Sequence, residues 1–301
     1  MAFSYTTDDL VSSVKVRGRI PTSQTTFTAA KILKLADEET EIGILPAVLK
    51  IRESFYLHET NITLAAATTN YRIPDRSIGG KLKSVCIVDT AGNETQLTKV
   101  EYEDRVHFGQ TNPPVYYLKN QSIVLVGSGW SSADTLRVAH FIKPSTLVPV
   151  ASTAKVSAIN TTTKTVTVSS IPSTFTVSTP IDFVRGSGGF ECLAIDVTPT
   201  ALASTVFTFA TLPADLEVGD YVCLAGETCI PQLPSELFTV LALRVTVTVL
   251  GSLGFINEMK AVQKKLDDAE EAVSHLISPR VDGSAKKIIN RRSLLNSRRN
   301  Y

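Results

Sequence analysis

The sequence lacks the usual marks of a metal site, a redox motif, an export signal or a membrane span. Its 301 residues hold four cysteines, Cys86, Cys192, Cys223 and Cys229, and no pair has CxxC spacing. That excludes a zinc ribbon or a thioredoxin-type dithiol, and the four read as reduced structural thiols of a cytoplasmic protein. The four histidines, His58, His107, His140 and His275, fall in no metal-binding pattern: His58-Glu59 has no second histidine one turn on. The opening MAFSYTTDDLVSS has neither a basic region nor an apolar core, so no signal peptide is expected. Without export, the N-x-[ST] sites at Asn61, Asn93, Asn120 and Asn160 are chance matches in a Thr/Ser-rich chain. The longest apolar run, LFTVLALRVTVTVLGSLGFI, carries Arg244, several threonines and two glycines, and reads as a buried helix or strand-like segment rather than a span.

Catalytic patterns are missing too. Arg185-Gly186-Ser187-Gly188-Gly189 is glycine-rich, but no Lys-[Ser/Thr] follows and no helix opens after it, so it is a hairpin turn and not a phosphate cradle. Gly127-Ser128-Gly129-Trp130 has no strand–turn–helix around it, as a nucleophile elbow would require. His140 sits in an alternating strand, His107 in a polar loop, and His275 near a helix C-terminus that suits its charge. Nothing assembles a nucleophile, a base and an oxyanion donor, so no enzyme, cofactor or metal is expected. The acidic run Asp37-Glu38-Glu39-Glu41 reads as a solvated helix end or as a contact for a basic partner.

What is present is a globular composition, 43% hydrophobic and 20% charged, with strand-favouring Thr and Val common in the middle of the chain. Thr6-Thr7-Asp8-Asp9 opens a first helix with Leu10, Val11 and Val14 on its apolar face, closed by Gly18 and Pro21. A second helix is expected over 26–40. Gly43 breaks it, and a third begins at Pro46 and runs through His58. From about residue 70 the period changes to two. Strands are expected at 81–88, on both sides of Asn120-Gln121, and at 136–142. Further strands at 155–159, 165–168, 181–185, 190–196, 205–209 and 220–224, with turn signals every 8–12 residues, suggest a small barrel or sandwich. Helix returns near 234, is interrupted at Gly251 and Gly254, and resumes over 255–277. There Ile256, Met259, Val262, Leu266, Ala269, Val273 and Leu276 form a near-heptad stripe, ended by Pro279.

Helices at both chain ends bury their faces most cheaply on each other. The expected fold is α+β: N- and C-terminal helices in one bundle, with a hairpin-rich region and a small β-barrel or sandwich inserted. The boundaries are 1–70 for the N-terminal helical part, 71–149 for the hairpins, 150–232 for the β-rich insert, 233–278 for the returning helices and 279–301 for a basic arm.

The arm holds Arg280, Lys286, Lys287, Arg291, Arg292, Arg298 and Arg299 against one acid, Asp282, while the rest of the chain has 23 bases and 28 acids. Three readings are open on the residues alone. It could be a solvated tail, a non-specific phosphate contact, or a segment that orders in a groove of another protein. Ile288-Ile289 and Leu294-Leu295 interrupt the charges, and Tyr301 is the lone aromatic, so a base-stacking platform is not supported.

Four ordered stretches resemble the head-to-tail adaptor (head-completion) proteins of short-tailed bacteriophages. They are Asp8-Asp9-Leu10-Val11 with the helices through Leu45-Pro46-Ala47; the tyrosine-containing hairpin Val115-Tyr116-Tyr117-Leu118 to Leu125; Leu233-Pro234-Ser235-Glu236-Leu237-Phe238; and the last helix with Pro279-Arg280-Val281-Asp282-Gly283 and the arm. The likeness spans most of the chain in order and spacing. The β block at 150–230 departs from the smallest, mainly helical members and is similar to the larger, elaborated ones.

The resemblance implies a virion protein at the head–tail junction, assembled in the host cytoplasm as a ring, usually of twelve copies. DNA would pass through its lumen without sequence-specific contact. Its implied partners are the portal protein and the tail nozzle or tail fibres, with the β block as the tail-facing surface and no membrane. Portal docking is expected of Arg280, Lys286, Lys287, Arg291, Arg292, Leu294, Leu295, Arg298 and Arg299. Packing within the bundle or between neighbours is expected of Ile256, Met259, Val262, Leu266 and Val273. Two other readings are a β-rich host-surface or carbohydrate-binding tail protein, which needs a concave aromatic patch in the β block, and a nucleic-acid-binding protein that uses the arm.

Overall fold

The structure, a computed structural model, describes residues 5–21, 24–65, 68–188 and 190–277, with side chains to 273. The fold is mixed α+β. Helix α1 spans Thr7–Arg17. Thr6 caps it by accepting from the Asp9 N–H, and Asp9 accepts in return from the Thr6 N–H, closing a capping box. Leu10, Val11 and Val14 are buried, and Gly18 ends the helix. Helix α2, Ala29–Glu39, is capped by Thr28 and buries Ile32, Leu33 and Ala36.

Gly43 does not break the chain as expected. It is absorbed into one wide π-turn, Thr40–Ile44, which feeds directly into α3, Leu45–Ile51. The third helix therefore stops at Ile51 and does not reach His58. Arg52 leaves helical geometry at φ −140°, a short 3₁₀ turn follows at Glu53–Tyr56, and β1, Leu57–Thr63, takes His58 into a sheet.

The strands that follow are β2 (Asn70–Arg72), β3 (Ser77–Val88), β4 (Glu94–Gln96), β5 (Thr98–Lys99), β6 (Val115–Lys119), β7 (Ser122–Val126), β8 (Thr135–Ile142) and β9 (Thr146–Leu147). With β1, those through β8 form two four-stranded sheets, ordered β1-β8-β3-β4 and β2-β7-β6-β5; β9 lies outside both. The β6–β7 hairpin turns at Asn120, whose φ of +53° is tolerated by asparagine.

The β-rich block contains β10 (Ala154–Asn160), β11 (Thr165–Val168), β12 (Ile181–Val184), β13 (Cys192–Val197), β14 (Ala201–Ala203), β15 (Val206–Thr208) and β16 (Tyr221–Leu224). The expected barrel does not close: the strands form one open sheet ordered β13-β12-β16-β10-β11-β15-β14. This sheet is nevertheless rolled. In a flat sheet β12 and β15 would lie about 19 Å apart, four strand spacings. Yet the rings of Phe183, on β12, and Phe209, just past β15, are 5.2 Å apart. The bend falls at β10, whose first residues, Ala154 and Lys155, pair with β16 and whose later ones, from Val156 on and with a bulge before Ala158, pair with β11.

After β17 (Glu227–Thr228), which pairs in parallel with β9, the chain enters α4, Phe238–Leu253, and α5, Ile256–Ile277. Helix α4 is rich in Val and Thr yet helical, because it is enclosed by other helices. The packed environment outweighs its weak intrinsic preference. Phe238, Leu241, Val245, Val249 and Leu250 are buried, and α1, α2 and α5 all pack against it. Gly251 does not interrupt α4; its missing side chain leaves room for the Met259 sulfur of α5. Gly254, at φ +78°, ends the helix in the left-handed conformation. Among the described residues, Ser235–Leu253 is long and apolar enough to cross a membrane by length and composition, and about half of it (56%) is buried in this core.

Candidate functional site

The nine arm residues expected to dock lie outside the described residues. Of the expected α5 stripe, Val262 and Leu266 are buried, and Met259, Ala269 and Val273 pack partly buried against the same helical core. These contacts are within the chain. Ile256 is the exception, 48% exposed beside Phe255 at the α4–α5 corner.

The helix hairpin brings the last turns of α5 back beside the start of α4 and the end of α3. At this junction Arg244 reaches out of α4. Its Nε and Nη2 donate to Glu270 of α5 at 2.8 and 2.6 Å, and Nη1 lies 3.6 Å from Glu39 of α2. Thr248 also donates to Glu39. Gly43 of the π-turn lies against the guanidinium so closely that a Cβ there would collide with it. Two carboxylates thus share one guanidinium. Above them opens an apolar groove of about 230 Å³, lined by Ile44, Ala47, Val48, Ile51, Leu237 and Val240, with Arg244 and Glu270 at its polar end. Ile42, next to Gly43, is 80% exposed.

On the other side of α2, Asp37, Glu38 and Glu41 border a shallow cleft with Lys34, Thr146 and Leu147. Asp37 accepts the Leu147 N–H at 2.9 Å, and Glu41 pairs with Lys143 at 2.9 Å. Burial pushes the Asp37 carboxyl up to about 6; the Leu147 hydrogen bond opposes this, and Glu41 and Glu38 add to it. The acidic run is therefore not a simply solvated helix end, since Asp37 fastens α2 to β9.

A cavity of about 570 Å³ lies between the β1-β8-β3 sheet, the 72–76 turn and β13. His58 and His140 are paired across β1 and β8, with ring centroids 5.7 Å apart, edge to face. His140 is buried, and its Nδ1 lies 3.3 Å from the Val138 carbonyl. Burial lowers both imidazoles below their ordinary pKa, and for His58 the neighbouring His140 and Arg76 lower it further. Arg76 crosses to the seven-stranded sheet, where Nη1 meets buried Asp182 at 2.7 Å and Nη2 donates to Ser145. Asp182 also accepts the N–H groups of Asp196 and Gly226. Among the described residues no group of three or more His, Cys, Asp or Glu side chains could hold a metal ion.

Arg244 had a signal in the sequence: a cation inside an apolar helix needs a partner. The meeting of His58 with His140, and of Arg76 with Asp182, had none, because it depends on which strands pair. The aromatic residues of the β block, where a sugar-binding patch would have to lie, are mostly core: Phe175, Phe183, Phe207, Phe209 and Tyr221 are all buried, and Phe190 is partly so. No family model matches this chain, and no curated protein matches it.

Proposed function

We propose that this chain is a structural virion protein, a ring-forming adaptor between a phage portal and the tail, with its C-terminal arm as the portal-docking element. In this reading the terminal helices form one bundle, the sheets are insertions in it, and the rolled sheet of 154–224 faces the tail nozzle or fibres. The observation that carries it is the shared core. Leu10, Val14, Ile32 and Leu33 of the first two helices and Leu241, Val245, Val262 and Leu266 of the last two belong to one buried cluster, with all the sheets between them in sequence. That is the arrangement implied for adaptors by the resemblance.

A ring also gives the arm a physical purpose. One arm with seven cations binds modestly, whereas a circle of arms on a circular partner gains by multivalency. Leu294 and Leu295 would be apolar anchors, and the arginines would pair with portal carboxylates. The role needs no catalysis.

The test is the mass of the purified protein, alone and mixed with a portal ring, by native mass spectrometry. A portal carrying a ring of copies is expected, and loss of that complex when Leu294 and Leu295 are replaced by Asp. A chain that never joins a portal under any loading condition overturns the reading.

A further inference from the structure

We propose that the chain's own segment 279–301 seats in the apolar groove between α3, α4 and α5, with Leu294 and Leu295 in the groove and the flanking arginines on its acidic end. The inference concerns this chain alone and stands apart from the portal reading.

The groove is an apolar surface at the foot of the segment that no described residue covers. Glu270, on its wall, is seven residues before Ile277, so α5 carries the chain only about 10 Å further. The residues that follow can each add up to about 3.3 Å, so the two leucines reach the groove with chain to spare. Such a tether holds a segment at millimolar effective concentration, so a weak contact suffices.

The chemistry matches at both ends. Ala47 is exposed on the groove wall, and Val48, Ile51 and Val240 supply a hydrocarbon lining. Leu294 and Leu295 stand between Arg291-Arg292 and Arg298-Arg299. At the groove's polar end Arg244 answers both Glu39 and Glu270, so one negative charge is left over for an incoming arginine. The π-turn at Thr40–Ile44 shapes this wall, and such turns are often kept at functional places.

The seated segment would compete with any partner for the same leucines.

Limited trypsin digestion of the full-length protein tests this, with mass spectrometry following cleavage at Lys286, Lys287, Arg291 and Arg292. Ala47→Arg adds bulk and like charge to the groove at an exposed position. It is expected to speed those cleavages at least about fivefold, the change when a closed state favoured four to one is lost. Leu294→Ala with Leu295→Ala, which leaves the folded helices untouched, is expected to do the same. Equal rates in wild type and both variants overturn the proposal. Protection that fades on dilution also overturns it, because the occupant would then be the segment of a second copy.

Discussion

Arg76 and Asp182 are 106 residues apart in sequence and meet at 2.7 Å, joining the turn before β3 to the edge of β12. The Asp182 side chain is 1% exposed, and Arg76, which also lies 3.7 Å from Asp196, ties the turn before β3 to the rolled sheet. Removing one partner strands a buried charge, which costs roughly 3–5 kcal/mol, whereas replacing both by apolar side chains costs far less. Arg76→Met alone should therefore lower the urea midpoint strongly, and Arg76→Met with Asp182→Asn, which removes the stranded charge but keeps an oxygen for the backbone N–H groups that Asp182 holds, should recover part of the loss. A double variant as unstable as the single one would show that the pair contributes packing rather than charge compensation.

Two glycines should fail for different reasons. Gly186 has ordinary backbone angles, but a Cβ there would run into the backbone carbonyl of Gly219, which has no freedom to yield. Gly254 has open space around it and a φ of +78°. Gly254→Ala should cost about 1 kcal/mol of conformational strain. Gly186→Ala should cost more, about 3 kcal/mol or above, because β12 and β16 must separate. Thermal midpoints rank the two, and the opposite order would contradict this account.

Arg244 links α4 to α5 and α2 while partly exposed. Its removal should cost about 1–2 kcal/mol, between the values for surface and buried pairs. Glu270→Gln should cost less, since the amide oxygen still accepts. A double-mutant cycle on Arg244→Ala and Glu270→Ala, read by chemical unfolding, should give a coupling of about 1 kcal/mol. Zero coupling would reduce the pair to a surface contact.

The local rules served well where local physics decides. The Thr6 cap, the turn at Asn120, the apolar positions of α1 and, apart from Ile256, those of α5 through Val273 were visible as residue patterns. They failed where packing or pairing decides. Gly43 looked like a helix stop, but a wide turn absorbs it, and its lack of a Cβ leaves room for the guanidinium of Arg244. His58 looked helical because Leu45, Val48, Leu49, Arg52 and Phe55-Tyr56 keep a helical spacing, and only the partner strand β8 reveals the change. The roll of the β-rich sheet, and with it the open edge where a barrel was expected, depends on the bulge in β10, which alternation does not show.

The pH response should carry two opposing signs, and they can be separated. Burial holds His58 and His140 below the ordinary imidazole value, with Arg76, Glu59 and Asp182 around His58. Below about pH 6.5 the unfolded chain therefore binds more protons than the folded one, and stability falls as the solution is acidified. Asp37 does the reverse. Its carboxyl is raised to about 6 by burial, so between about pH 4 and 6 the folded chain holds the extra proton and gains stability on acidification. His58→Gln should flatten the loss of stability between pH 6.5 and 5, and Asp37→Asn should steepen it while raising stability above pH 6. Urea midpoints measured across this range check both, each against wild type so that the other carboxylates cancel. If His58→Gln leaves the acid slope unchanged, the imidazole pair is already charged in the folded protein, and the cavity between the sheets is wetter than its lining implies.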